Sequence, residues 1–194
     1  MGRWEPDARG RMVTAALDLF AERGFDATTA GDIAARAGVT ERTFFRHFSD
    51  KREVLFDGSS TMQDLVIASV DGAAPGVQPI DVVVSAFAST AEFFDGRAEF
   101  AIRRSAVIAA SGSLRERELR KLDDLAAAIA EHLVARGIDG AAASLIAEIG
   151  VGIFTVAFAQ WVSDGATRSL GAYVTAGLSE LKAQMACADG HLAT

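Results

Sequence analysis

The sequence has few of the features that mark secreted or membrane-spanning proteins. It contains one cysteine, Cys187, so no disulfide can form within the chain. A single cysteine fits a reducing, cytoplasmic setting. The first residues lack the apolar run of a secretory signal. The longest uncharged apolar stretch, residues 149–163, is shorter than the ~20 residues that cross a bilayer. We therefore expect a cytoplasmic protein without a membrane partner.

Recognisable catalytic, cofactor and metal-binding motifs are also missing. The sequence has no glycine-rich phosphate loop, dinucleotide fingerprint, nucleophilic serine elbow or recognisable pair of catalytic carboxylates. The three histidines, His47, His132 and His191, lie far apart, and with one cysteine they give no metal-ligand spacing. We expect no enzymatic activity, no cofactor and no metal.

The charge is unevenly distributed along the chain. A net charge of -7 argues against a nucleic-acid partner for the chain as a whole. Residues 1–52, however, hold nine Lys/Arg and eight Asp/Glu, so the acidic excess lies in the remaining residues. A near-neutral N-terminal part is compatible with a local DNA-binding surface, although acidic proteins without such a surface show it too.

Apolar residues make up 50% of the chain and recur at helical spacing almost throughout. Gly, Pro, Asp and Ser interrupt this pattern and divide it into about nine helices. The sequence thus predicts an all-α fold. We expect a three-helix domain over residues 1–52 and a larger helical domain over residues 53–194. A fourth helix from about residue 51 to residue 70 would connect the two domains.

The N-terminal part carries the pattern of a helix-turn-helix. A first helix is predicted over about residues 7–22. Thr29 and Asp32 have the spacing of a capping box and begin a short helix. Gly38 supplies a tight turn after this helix, and Thr40 caps a second short helix. Two short helices joined by a glycine turn are typical of DNA-binding helix-turn-helix units.

The second short helix of this motif enters the major groove, and its first residues meet base edges. Here these residues are Thr40, Arg42 and Thr43. An arginine can hold a guanine through two hydrogen bonds, and a threonine can meet a thymine methyl group. His47 and Lys51 follow one and two turns later and are placed for phosphates. The alternative is that the threonines serve only as caps and the basic side chains are only solvated.

The chain from Arg11 to about Leu55, including the block AERGFDATTAGDIAARAGVTERTFFRHFSDKREVLF that begins at Ala21, resembles the TetR family of bacterial regulators. The resemblance implies a homodimer that binds a palindromic operator in double-stranded DNA and carries a C-terminal ligand-binding domain. It implies contacts from five side chains: Thr29, His47 and Lys51 with phosphates, and Arg42 and Thr43 with bases or backbone. We call the helix-turn-helix domain, residues 1–52, the DNA reader. The fourth helix would transmit a shift in the ligand-binding domain to the two readers of the dimer.

The chain departs from the family pattern at Phe45. The family commonly has a tyrosine at this position, and its hydroxyl often reaches a phosphate. Phe45 lacks that hydroxyl, so we expect its ring to pack and to anchor the second short helix together with Phe44 and Phe48. By its position in this helix, Phe45 is also a candidate DNA-binding residue.

Two long helices are predicted near the C-terminus, over about residues 140–162 and 170–185. The first is apolar nearly all round, so it must be buried on several sides. One of its faces carries Val156, and another carries Phe154 and Trp161. One chain would bury one face and a second copy the other, which predicts a homodimer through these two helices. An ordinary core within one chain is the alternative.

Aromatic residues of the larger domain form a candidate pocket for a small-molecule effector. The candidate lining residues are Phe87, Phe94, Phe100, Arg104, Val107, Phe154, Phe158 and Trp161. A solid core is the alternative to a pocket. Arg103 and Arg104 would receive an anionic ligand group or remain solvated. The leading hypothesis is a repressor released from DNA by a small apolar or amphipathic ligand. An enzyme with an incidental reader, a helical interaction protein and an activator are the other hypotheses.

Overall fold

The structure, a computed structural model, describes residues 7–189, and within this range helices joined by turns and loops occur without a strand. Its α-helices are α1 (Ala8–Arg23), α2 (Ala30–Arg36), α3 (Glu41–His47), α4 (Ser59–Asp71), α5 (Pro79–Ser89), α6 (Ala91–Asp95), α7 (Ala98–Ala109), α8 (Gly112–Ala135), α9 (Gly140–Ser163) and α10 (Leu170–Asp189). A 3-10 turn, Glu53–Phe56, precedes α4. The predicted all-α fold is confirmed. The described range holds ten α-helices rather than about nine because Thr90 separates the short α6 from α5.

The described residues form two compact units. Unit 1 comprises the chain up to Ser59 together with Ile102–Arg120, and unit 2 comprises Ser60–Ala101 together with the chain from Lys121 onward. The chain therefore crosses between the units three times, and each crossing lies within a helix, α4, α7 or α8. The domain boundary after residue 52 stays a prediction.

Side-chain caps determine where the first three helices of unit 1 begin. The carboxylate of Asp7 accepts a backbone N–H of the first turn of α1 (2.9 Å). Thr29 and Asp32 form the predicted capping box, in which each side chain accepts the backbone N–H of the other (3.1 and 2.9 Å). The hydroxyl of Thr40 caps α3 by accepting the N–H of Thr43 (3.1 Å). These local hydrogen bonds satisfy N–H groups that a helix leaves unpaired.

The turn between α2 and α3 follows the predicted pattern. Gly38 adopts a positive φ of 70°, which glycine reaches at little cost. The N–H of Val39 donates to the carbonyl of Ala34 (2.9 Å) and closes the end of α2. Helix α2 packs against both α1 and α3, so the three helices form one helix-turn-helix unit.

Residues 51–58 do not form the first turns of a long fourth helix, and that part of the prediction is wrong. The carboxylate of Asp50 accepts two consecutive backbone N–H groups (2.7 and 3.3 Å), which favours the tight 3-10 turn. Gly58 then adopts a φ of 92°, outside the helical region. Helix α4 begins only at Ser59.

Long helices form the core of unit 2. Helix α9 packs against α5 and α10, and α5 packs against α10. Gly150 permits the close approach of α9 to α5, because a Cβ at this position would lie 2.3 Å from Cγ1 of Val83. Trp161 is fully buried, and its indole N–H donates to the carbonyl of Arg168 (2.9 Å). Helices α9 and α10 begin where the sequence predicted them to begin.

Burial divides α9 into the two predicted faces. Phe154 and Trp161 are buried, whereas the side chains of Leu145 and Val156 are 63% and 58% exposed. By length and composition α9 would also suffice to cross a membrane. Core helices meet the same criterion, and the buried face of α9 packs on α5 and α10.

Candidate nucleic-acid interface

Two phenylalanines fix helix α3 in unit 1. Phe44 is fully buried and Phe48 is 4% exposed, with their ring centroids 5.5 Å apart. Side chains four residues apart lie on the same face of a helix. Since this face is turned inward, the opposite face of α3 is presented to solvent.

The outer face of α3 carries two arginines without internal partners. Arg42 and Arg46 are one helical turn apart, opposite Phe44, and both are exposed. Neither makes a hydrogen bond or an ion pair with any residue that the structure describes. Their guanidinium donors are therefore available to an external acceptor. The sequence also offers Arg46 as a possible phosphate contact, with a merely solvated charge as the alternative, and its contact with DNA stays a prediction.

Most other basic side chains of residues 7–59 have acidic partners. The pairs are Arg9 with Asp57, Arg23 with Asp32, Arg36 with Glu22 and Arg52 with Asp50. A hydrogen bond from Arg36 lowers the pKa of Glu22, and one from Arg52 lowers the pKa of Asp50. Ion pairs between exposed groups add little stability. Arg42 and Arg46 on α3 differ from these four arginines because they have no acidic partner among the described residues.

Phe45 lies on the outer side of α3 and is 52% exposed. Its ring is T-shaped to the Phe44 ring, with centroids 5.4 Å apart and an interplanar angle of 88°. The expectation that Phe45 anchors the helix in the core is therefore wrong. The inward positions of α3 are already taken by Phe44 and Phe48, which leaves Phe45 on the outer side. The contact of Phe45 with DNA stays a prediction.

The hydroxyl groups of the candidate threonines are engaged in helix caps. Both the backbone N–H and the hydroxyl of Thr29 donate to Asp32 (2.9 and 2.8 Å). The hydroxyls of Thr40 and Thr43 lie 3.0 Å apart and share one hydrogen bond. A phosphate oxygen accepts hydrogen bonds, so a contact from Thr29 requires its hydroxyl to leave Asp32. The contacts of these threonines with DNA stay predictions.

Lys51 is held by the loop between α1 and α2. Its ammonium group donates to the carbonyls of Phe25 and Thr28 (both 2.8 Å) and lies 3.5 Å from that of Asp26. It also lies 4.2 Å from the centroid of the Phe25 ring. This geometry gives Lys51 a role inside unit 1. Its predicted phosphate contact, like that of the half-buried His47, stays a prediction.

Five of the eight candidate pocket residues form one aromatic cluster in unit 2. The cluster consists of Phe87, Phe94, Phe154, Phe158 and Trp161. The rings of Phe87 and Phe154 stack with centroids 4.8 Å apart, and Phe94 on α6 contacts three of the other rings. The rings contact one another directly, so a ligand among them would have to separate them.

The structure places two other candidate pocket residues, Arg104 and Val107, in unit 1. Val107 is 8% exposed there. Arg103 and Arg104 both have protein partners in unit 1, namely Asp18 for Arg103 and Glu118 for Arg104. Phe100 lies in unit 2 and is half-buried, outside the ring contacts of the aromatic cluster.

No group of three or more His, Cys, Asp or Glu side chains within residues 7–189 is arranged to hold a metal ion. His191, one of the three histidines considered above, lies outside the described residues.

Two family models match the chain. The model described as bacterial regulatory proteins, tetR family, matches residues 13–57, which include the whole helix-turn-helix. The model described as MftR C-terminal domain matches residues 77–186.

Curated relatives match mainly through the helix-turn-helix. The HTH-type transcriptional regulator TcmR of Streptomyces glaucescens is 29% identical over 140 residues, which are 68% of this chain and 61% of TcmR. The chain thus spans less than two thirds of that relative. The HTH-type transcriptional repressor KstR2 of Mycobacterium tuberculosis is 43% identical over 47 residues, 24% of each chain.

Solved structures share the fold over most of the chain. FadR from Bacillus subtilis, in complex with stearoyl-CoA, has a TM-score of 0.61 at 17% identity and covers 88% of this chain and 95% of its own. FadR from Thermus thermophilus, a transcriptional repressor in complex with lauroyl-CoA, has a TM-score of 0.57 at 24% identity, with coverages of 88% and 91%. At sequence identities this low, the structural similarity shows a common fold alone.

Proposed function

The chain belongs to the TetR family of DNA-binding transcription regulators, which are not enzymes, and we propose that it is a cytoplasmic homodimeric repressor. In this proposal it binds a palindromic operator and leaves it when a small apolar or amphipathic molecule binds. TetR regulators bind DNA operators and small-molecule ligands.

The observation that carries the proposal is the outer face of α3. Arg42 and Arg46 are exposed and have no partner among the described residues. We assign base reading to Arg42 and Thr43, since the first residues of a recognition helix reach base edges. Arg46 and His47 follow as phosphate contacts. Thr29, Thr40 and Lys51 hold the loop and helix ends from which α3 is presented.

We assign the dimer interface to α9 and α10, with a second copy of the chain as the partner. The exposed apolar side chains on these helices are Leu145, Val156, Leu181 and Met185, of which Met185 is 64% exposed. Large apolar side chains grouped on one surface mark interaction sites. Two such helices from each copy would form a four-helix interface and set two readers about 34–36 Å apart on one side of the duplex.

We assign effector binding to the helical part that follows the reader, residues 53–194, at the aromatic cluster. Acyl-CoA thioesters are the first ligands to test, because two regulators of the same fold were solved with them. An acyl chain would replace ring contacts such as those of Phe94 with Phe154 and Phe158. Ligand binding would then favour a dimer whose readers no longer match the operator.

The function is tested by selecting binding sites from a random duplex pool with the purified full-length protein. We expect enrichment of a palindrome. Arg42→Ala should lose preference at one base position in each half-site, whereas Arg36→Ala, which breaks an exposed pair with Glu22, should retain the wild-type site. An absence of enrichment at several salt concentrations would contradict DNA reading by this chain.

The dimer is tested by Val156→Asp, analysed by sedimentation. A buried carboxylate without a partner is costly, so we expect dissociation into monomers and loss of palindrome binding. Ala127→Asp adds the same charge at an exposed position of α8 and should leave the dimer intact. A dimeric Val156→Asp variant would contradict the assigned interface.

The effector class is tested with lauroyl-CoA and stearoyl-CoA against the selected duplex. We expect either compound to lower DNA affinity, and Phe94→Ala to change the concentration at which it does so. Failure of both compounds to bind in calorimetry would exclude this ligand class and leave the DNA-binding result unaffected.

A further inference from the structure

The end of α7 and the start of α8, residues 102–120, lie in unit 1 with the reader although they are remote from it in sequence. Two arginines attach them to it. The guanidinium of Arg103 donates to the carboxylate of Asp18 on α1 (2.5 Å), and Nε of Arg117 donates to Glu53 in the 3-10 turn (2.6 Å). At 27% and 20% exposure, the Arg117–Glu53 pair is better shielded from solvent than the pairs on the reader surface.

A third arginine, Arg104, lies deeper, with its side chain 18% exposed. It donates to the backbone carbonyl of Leu55 (2.6 Å) and to Glu118 (2.9 Å). Its guanidinium lies 4.9 Å from the centroid of the Phe56 ring. Burial lowers the pKa of Arg104, and the carboxylate of Glu118 opposes this effect. Two arginines of residues 102–120, Arg104 and Arg117, thus bind the 3-10 turn that follows α3.

The helices that carry these arginines continue into unit 2. Helix α7 crosses the boundary after Ala101, and α8 crosses it after Arg120, both without interruption. The path from the 3-10 turn into α4 instead passes Gly58, whose φ of 92° is not helical. A continuous helix transmits displacement along its axis, whereas a glycine-containing bend absorbs rotation. Helices α7 and α8 are therefore the stiffer connections to the reader.

We propose that residues 102–120 are a second attachment of the DNA reader, and that Arg104 and Arg117 are positioning residues that set how α3 meets DNA. The inference rests on the proposed DNA binding. Neither arginine lies on α3, and both act on the segment that follows it. A shift of α7 or α8 caused by an effector then reaches the reader through these arginines as well as through α4.

The pair of Arg117 and Glu53 offers the cleaner test, because loss of Arg104 would leave the backbone carbonyl of the buried Leu55 without its side-chain donor. The variants are Arg117→Gln, Glu53→Gln and the double variant, measured as full-length proteins on the selected duplex well below their melting temperatures. Arg120→Gln is the matched control. It removes the same charge one turn further along α8, from a pair with Glu116 that is 62% and 72% exposed.

We expect Arg117→Gln and Glu53→Gln each to lower DNA affinity about fivefold or more, in the range of typical couplings between sites. The double variant should lose less than the sum of the two single losses, because both single variants remove the Arg117–Glu53 pair. The salt dependence of binding should not change, since no phosphate contact is lost. In wild type, the duplex should slow amide exchange within residues 102–120, and Arg117→Gln should abolish that effect.

Three results would overturn the inference. One is an affinity of Arg117→Gln equal to that of Arg120→Gln. Another is a reduced salt dependence for Arg117→Gln, which would make Arg117 a direct phosphate contact. The third is a wild-type protein that enriches no duplex, which would overturn the proposed function as well. In the first two cases the wild-type protein still binds its site, so the two failures are distinguishable.

Discussion

Different kinds of interaction stabilise the interior of unit 1 and the interior of unit 2. In unit 1, helices of seven residues begin at side-chain caps, and charged side chains such as Lys51 and Arg104 bind backbone carbonyls. In unit 2, helices of 20 and 24 residues pack through aromatic rings and close backbone approaches. Short helices gain little from their own hydrogen bonds and depend on caps and anchors, whereas long helices gain most from packing of an apolar face.

The exposed surfaces of the two units differ in the same way. Helix α3 presents the unpaired charges of Arg42 and Arg46, which suit a polyanion. Helix α9 presents Leu145 and Val156, which suit an apolar partner. The contrast predicts that substitutions in each unit will change a different property, and the following variants test it.

Phe44→Ala should have the largest effect and should act on unit 1. Phe44 is fully buried beneath α3, and truncation of a buried phenylalanine costs about 3–5 kcal/mol of unfolding free energy. Amide exchange should accelerate in α1, α2 and α3, with loss of DNA binding, while α9 keeps its protection. Phe45→Ala, next to it but 52% exposed, should change stability by about 0.5 kcal/mol or less. Equal losses for the two variants would contradict the packing of α3.

Gly150→Ala should destabilise unit 2 by about 1–3 kcal/mol, as overpacking of a core does. The new Cβ would lie 2.3 Å from Cγ1 of Val83, whose side chain is itself fully buried. Gly152→Ala is the matched control on the same helix, since nothing lies within 4 Å of its added Cβ. Thermal unfolding should show a loss for the first variant and no loss for the second. The reverse order would mean that α9 turns its other face inward.

Arg42→Ala should separate reading from stability within unit 1. We expect a loss of roughly 1–3 kcal/mol in specific DNA affinity and an unchanged melting temperature, because Arg42 has no partner among the described residues. Lys51→Met should instead lower the unfolding free energy by about 1–3 kcal/mol, since the partly buried carbonyls of Phe25 and Thr28 lose a charged donor. Calorimetry and DNA titration of both variants check this. Similar behaviour of the two variants would contradict the assignment of Arg42 to DNA contact and of Lys51 to the stability of unit 1.

Local interactions were predictable from the sequence, and long-range ones were not. The caps at Thr29 and Thr40 join residues three apart, so their spacing was visible in the sequence. The partners of Arg103 and Arg104 lie 85 and 49 residues away on α1 and in the 3-10 turn. Periodicity alone therefore left these two arginines as candidates for an anionic ligand.

Periodicity also explains where the helix predictions succeeded and failed. The two faces of α9 follow from a regular apolar repeat over a long helix, and burial confirms them at Phe154 and Val156. The repeat continues through residues 51–58, so it predicted a helix there. The deciding signals were the cap at Asp50 and the positive φ at Gly58, which depend on single residues.

Thr29→Ala should have the smallest effect, and it tests whether caps stabilise unit 1. Loss of an N-cap costs about 1 kcal/mol. The backbone N–H and the hydroxyl of Thr29 lower the pKa of Asp32, so this carboxylate stabilises the fold above its usual pKa and ceases to do so as the pH falls through the lowered value. In Thr29→Ala the hydroxyl is lost, and the pKa of Asp32 should rise toward its usual value. A carboxyl titration followed by NMR measures this shift.

Thr40→Ala removes a cap of the same kind from α3 and should leave the pKa of Asp32 unchanged. An Asp32 pKa that stays at the wild-type value in Thr29→Ala would show that the hydroxyl contributes nothing to the capping box in solution.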